Sequence, residues 1–118
     1  LVPLAERVLG PGPTPSDILF DDGDNLCEFG LDAVVIHTPG HTPGSSCLLA
    51  EGHLAFVGDL LTSNGRPVLQ RLYADDWSLL PDSLARVQRL RPKLVYPGHA
   101  RHPLSGDALQ CLRVEFHT

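Results

Sequence analysis

Three residues of this sequence combine a reactive side chain with a setting that could present it: His41, Asp59 and His99. Each directly follows a glycine, in Gly40-His41, Gly58-Asp59 and Gly98-His99, and each lies just beyond an apolar run. Imidazole and carboxylate together suit a borderline divalent ion such as Zn²⁺. Neighbouring prolines stiffen such loops, and glycines let backbone approach the site closely. For any one of these residues the ordinary alternative is an exposed loop histidine that titrates, or an aspartate that caps a turn. Spacing alone does not choose, because the intervals between the three are wide and unequal.

The elements that must position them read as an alternation of strands and helices. Leu4 to Leu9 predicts a helical turn, and Gly10-Pro11-Gly12-Pro13 ends it, so residues 1–16 read as a helical turn and a Pro/Gly linker. Ile18-Leu19-Phe20 and Leu26 to Phe29 flank the turn-forming Asp21-Asp22-Gly23-Asp24, which predicts a hairpin. Leu31 to His37 predicts a strand buried on both faces, halted by the proline- and glycine-rich Thr38 to Gly44. Ser46 to Ala50 and Leu54 to Val57 predict a second hairpin about Glu51-Gly52-His53, and its second strand runs straight into Gly58-Asp59. From Trp77 to Leu90, Leu80, Leu84, Val87 and Leu90 recur at helical intervals. Pro81 requires that helix to start or kink there, and Pro92 ends it. Leu94-Val95-Tyr96 predicts a short strand before Pro97-Gly98-His99, and Asp107 to Val114 a closing helix. The expected fold class is α/β, a mixed sheet with helices on one face. Groups placed where strands end, on loops held by a rigid sheet, are where such folds build sites.

In context the three motifs are specific. Thr38-Pro39-Gly40-His41-Thr42-Pro43-Gly44-Ser45, then Phe56-Val57-Gly58-Asp59-Leu60-Leu61, then Tyr96-Pro97-Gly98-His99 resembles the last three metal-binding motifs of the metallo-β-lactamase superfamily. The likeness runs from about Ile18 to Ala100, and the order of the intervening hairpin and helix agrees. The resemblance implies an αββα sandwich of which this chain, residues 1–118, is a single partial domain, the C-terminal half. It also implies His41 as a ligand of a first metal, Asp59 as the bridging and catalytic carboxylate, and His99 as a ligand of a second. Up to two zinc ions would then hold a hydroxide that attacks a thioester, lactone or related ester or amide bond; iron or manganese suits the same donors.

The family's first motif, HxHxDH, is absent, and residues 1–40 hold a single histidine, His37. Each ion would therefore keep one terminal ligand plus the shared Asp59, whereas zinc sites use three or four protein ligands. We expect weak or partial metal binding by this chain alone. Two readings follow. One is part of a metal-dependent hydrolase of small-molecule substrates, completed by a missing N-terminal half. The other is a truncated, non-catalytic binding or association domain of the same fold. Either way a lone half would expose an apolar sheet face, so the expected partner is an N-terminal half or a second copy of the chain.

The bulk numbers narrow the classes. At 118 residues the chain suits one domain, and 42% hydrophobic with 19% charged residues argues against disorder. A net charge of −5 offers no basic face for nucleic acid or an anionic membrane. Cys27, Cys47 and Cys111 form neither a disulfide framework nor a CxxC knuckle, which predicts free thiols and a cytoplasmic location. No methionine occurs, and the first residue is Leu1, so we expect either an unusual start codon or a part of something longer. Among the remaining candidates, His102 and Tyr73 are possible substrate-side residues, with a plain surface histidine the ordinary reading of His102. His37 lies near the first ligand loop, His53 and His117 read as solvent-exposed, Trp77 as packing at the helix start, and Cys47 as core.

Overall fold

The β-branched run Val34-Val35-Ile36 favours extended backbone, and the computed structural model forms strand β1 there (Ala33–His37). The structure describes residues 17–63, 67–69 and 75–113. The expected turn at 4–9, the 1–16 linker, Tyr73 and His117 lie outside them. Strands β2 (Ser46–Ala50), β3 (Leu54–Gly58), β4 (Leu61–Ser63), β5 (Pro67–Leu69), β6 (Leu94–Pro97) and β7 (Leu104–Ser105) follow, with helices α1 (Leu80–Arg89) and α2 (Gly106–Cys111). Five strands make one sheet in the order β1-β2-β3-β6-β7, and β4 with β5 makes a separate two-stranded sheet. Every pairing in the larger sheet is antiparallel except β3 with β6.

Two-residue alternation sorts that sheet into two faces. Ile36, Cys47, Ala55, Val57 and Val95 project to one face, where Leu80, Leu84 and Val87 of α1 and Leu109 of α2 close a buried core over them. Both helices therefore cover the same face, as an α/β layer requires. The opposite face carries Val35, Leu48, Phe56 and Tyr96 in register. Leu26 covers only its β1 end. Phe56 and Leu94 lie outside the cluster that Leu26 forms there: Phe56 is 43% and Leu94 36% exposed, and the rings of Phe56 and Tyr96 stack with centroids 5.1 Å apart.

Helix α1 starts as Pro81 demands. The chain enters through a 3-10 turn, Trp77–Leu79, capped by Asp76, whose carboxylate accepts from the Ser78 amide at 3.0 Å. Pro81 then occupies the first turn of α1, where its missing N–H costs nothing. Trp77 itself is 48% exposed. Cys47 is core, as expected, and burial pushes its thiol up to about 11.

The hairpin expected across Ile18–Phe29 does not form. Residues 23–26 instead line the free edge of β1: the Gly23 amide donates to Val35 O, the Val35 amide to Asp24 O, and the Leu26 amide to Ala33 O, at 2.7, 2.9 and 2.9 Å. Pairing with a strand that already has a partner outweighs self-pairing of two short segments. Cys27–Phe29 becomes a 3-10 turn closed by Gly30 at φ 85°. His53 also departs from expectation. It is half-buried, its ring donates to Glu51 O at 2.8 Å, and its carbonyl accepts from the Lys93 amide at 2.8 Å, joining the hairpin to the start of β6.

The packing of α2 generates a test. Gly106 donates its amide to Lys93 O at 2.8 Å, and a β-carbon there would run into the Pro92 carbonyl oxygen. We expect Gly106→Ala to lower stability by about 1–3 kcal/mol in urea unfolding. Gly44→Ala, which meets nothing within 4 Å, should change it far less. Equal stability of the two variants would contradict this packing.

Candidate metal centre

Parallel strands leave the sheet at the same end, so pairing β3 with β6 delivers the loops after both strands to one place. A register irregularity between Phe56 and Gly58 bends β3 just before Asp59. The turn that follows closes with the Leu60 amide on Val57 O at 3.1 Å, and it needs Gly58 at φ 54°. The Gly98 amide donates to Gly58 O at 2.8 Å. A β-carbon at Gly98 would already stand 3.4 Å from Asp59 Oδ1. Gly98 thus lets the Asp59 and His99 loops meet backbone to backbone, and Gly58 supplies the left-handed turn between Val57 and Asp59.

The loop carrying His41 arrives from β1 and is pinned along its length. The Thr38 amide donates to Ser45 O at 2.9 Å, and the Thr42 and Ser45 hydroxyls share a 2.7 Å hydrogen bond. Thr38 is buried and pairs its hydroxyl with Cys47 Sγ at 3.2 Å. The segment leading into α1 holds the other side. Amides of Asp75 and Asp76 donate to the His41 and Gly40 carbonyls at 3.0 and 2.8 Å, and Ser83 Oγ donates to Pro39 O at 2.6 Å. At Gly40, φ is 142° and a β-carbon would strike Leu80.

These loops bring His41, Asp59 and His99 together. His41 Nε2 lies 3.3 Å from Asp59 Oδ2, and His99 Nε2 lies 3.0 Å from Asp59 Oδ1. Each imidazole faces a different carboxylate oxygen, and the side chains of His41, Asp59 and His99 are 20%, 36% and 73% exposed. Two donors bound about 2.0–2.1 Å from one tetrahedral ion stand about 3.3 Å apart, so both pairs have the spacing of neighbouring ligands. The donor chemistry and spacing therefore fit a two-ion arrangement with Asp59 shared. They fit it incompletely: among the described residues no three His, Cys, Asp or Glu side chains surround one point as ligands of a single ion. His41 Nδ1 is buried without a hydrogen-bond partner among the described residues. Ligating histidines usually pair that second nitrogen.

Of the other candidates, His37 is not directed at the site: its Nε2 donates to Pro43 O at 2.8 Å, bracing the loop from within. His102 is exposed on the turn after His99 and hydrogen-bonds to none of the three. Tyr73 lies outside the described residues. Sequence reasoning missed Asp22 and Arg86, which lock onto the end of β1. Arg86 Nη1 donates to His37 O at 2.7 Å, and Asp22 Oδ1 accepts from the His37 amide at 2.8 Å. Arg86 could have been noticed as a cation just past the apolar stripe of α1; Asp22 looked like one of several turn residues.

Ser83 offers a direct check on how the loop is held. It is 1% exposed, and removing its hydroxyl leaves the Pro39 carbonyl without that donor. We expect Ser83→Ala to cost about 1–3 kcal/mol in denaturant unfolding. An unchanged midpoint would mean that the contact does not hold the loop.

Comparison with known proteins identifies the family. Residues 2–99 match the model of the metallo-β-lactamase superfamily. A hydroxyacylglutathione hydrolase of Aeromonas salmonicida is 38% identical over 90 residues, covering 75% of this chain and 34% of the relative. An atrochrysone carboxyl ACP thioesterase of Aspergillus fumigatus is 31% identical over 88 residues, covering 74% and 26%. The solved structure of TTHA1623 in a di-iron-bound form superposes with a TM-score of 0.65 at 32% identity, covering 89% of this chain and 52% of that one. The chain thus spans about a third of the curated relatives and half of the solved one. With three motif loops converging and the family match spanning most of its length, the chain belongs to the metallo-β-lactamase superfamily.

Proposed function

We propose that this chain supplies one half of a two-ion hydrolase centre acting on a thioester, lactone or related ester or amide bond of a small molecule. The observation that carries the reading is the Asp59 carboxylate, one oxygen toward His41 and the other toward His99. His41 would hold one ion, His99 the other, and Asp59 both, its negative charge offsetting the repulsion between the cations. When bound, such ions lower the pKa of coordinated water from about 15.7 towards 7 and polarise the scissile carbonyl. The backbone contact of Gly98 with Gly58 keeps the Asp59 and His99 loops in register for that task. The relatives named as an acylglutathione hydrolase and an acyl-carrier thioesterase support this substrate class, and zinc is the ion we assign first, with iron supported by the di-iron relative.

The remaining ligands would come from an N-terminal half, or from a second copy of the chain, docking on the open sheet face. Leu48, Phe56, Leu94 and Tyr96 give that face its apolar surface, and the stacked Phe56–Tyr96 pair makes a preformed contact. The second reading, an association domain without catalysis, rests on the same face and on the incomplete ligand set. Three free cysteines suit a cytoplasmic location, and among the described residues no helix is long and apolar enough to cross a membrane.

The test combines the chain with a separately produced HxHxDH-bearing half of a relative in the presence of Zn²⁺. Thiol release from an acyl thioester is followed by a colorimetric thiol reagent. We expect a complex on size exclusion and hydrolysis that Asp59→Asn in this chain reduces to background. A complex that forms without hydrolysis would support the association reading. A chain that stays monomeric and binds no apolar dye would contradict docking on this face.

A further inference from the structure

We propose that Asp22 and Arg86 act as a positioning pair for His41, gripping the last residue of β1 so that the ligand loop leaves the sheet in one direction. The inference rests on the reading of His41 as a metal ligand. β1 is an edge strand, and its peptide groups alternate between β2 and the free edge. On the free edge, the groups of Ala33 and Val35 are satisfied by the backbone of residues 23–26. At His37, where backbone pairing stops, side chains take over: Asp22 Oδ1 accepts from the His37 amide at 2.8 Å and Arg86 Nη1 donates to the His37 carbonyl at 2.7 Å.

The two side chains also bind each other. Arg86 Nη2 lies 3.0 and 2.9 Å from the Asp22 oxygens. The guanidinium spans the His37 carbonyl and the carboxylate at once, a geometry that a lysine cannot reproduce. The His37 amide, and after it Arg86, holds the Asp22 carboxyl below its ordinary range. Four residues beyond this grip stands His41, and the intervening Pro39 and Gly40 are pinned to the same helix and its lead-in. Asp22 and Arg86 act on the His41 loop through His37, and His99 meets His41 only through Asp59, so their effect should be larger at His41 than at His99.

The test reads the imidazoles of the whole chain by two-bond proton–nitrogen correlation at one pH, without metal and through a Zn²⁺ titration. We expect Arg86→Leu and Asp22→Asn to shift or broaden the His41 signals more than those of His99. The Zn²⁺ concentration for half of the His41 response should rise about tenfold or more. Arg86→Lys, which keeps the charge and loses the fork, should fall between. His41 signals and a Zn²⁺ response unchanged in Arg86→Leu would overturn the proposal, even if thermal stability fell. Should Arg86→Leu not fold, Asp22→Asn decides by the same signals. A wild-type His41 that ignores Zn²⁺ would count against the metal reading, while the metal-free shifts would still decide the positioning role.

Discussion

The parallel pairing of β3 with β6 is the constraint on which the rest depends. Strands that run the same way cannot be joined by a tight turn, so a crossover must carry the chain back along the sheet. α1 belongs to that crossover, and it also packs the core over Val57 and Val95 and meets the His41 loop. One topological requirement therefore brings the Asp59 and His99 loops to the same sheet end and supplies the element that holds the His41 loop. At the contact of Gly98 with Gly58, a side chain on Gly98 would crowd the Gly58 backbone, while Gly58 itself is required by its positive φ.

What results is a site whose His41 loop is held along its backbone, while the His41 ring has its Nδ1 without a partner among the described residues. Carbonyls of His37, Pro39, Gly40 and His41 all accept hydrogen bonds from Arg86, Ser83, Asp76 and Asp75. Buried or half-buried carbonyls in a loop of this kind would otherwise be costly. Asp59, by contrast, has one imidazole on each oxygen and nothing further among the described residues to fill a coordination sphere. The open sheet face shows the same asymmetry, since its β1 end is covered by Leu26 and the Phe56–Tyr96 end is not. A second αβ layer, as proposed above, would account for both the incomplete ligand set and the open part of the sheet face.

Much of this was legible from local patterns. The Val34-Val35-Ile36 run, the Glu51-Gly52-His53 turn and the helical recurrence of Leu80, Leu84 and Val87 each report an element whose burial follows from its own residues. The motif loops at His41, Asp59 and His99 were legible because glycine and proline mark where a strand must stop. Ile18 to Phe29 was misread because its partner is β1 rather than itself, and competition between pairings does not show in a local pattern. β4, β5 and β7 are two or three residues long, too short for alternation to show. The grip of Asp22 and Arg86 on His37 joins residues far apart in the chain, and only the folded arrangement reveals that both reach the same peptide groups.

Metal content tests most directly the claim that this chain carries one half of a two-ion centre. The purified chain would be incubated with excess Zn²⁺, freed of loosely held metal by gel filtration, and analysed for zinc by elemental methods. We expect well under one tightly held ion per chain in the monomer. One or more tightly held ions per monomeric chain would contradict it, because His41, Asp59 and His99 would then suffice as a site on their own.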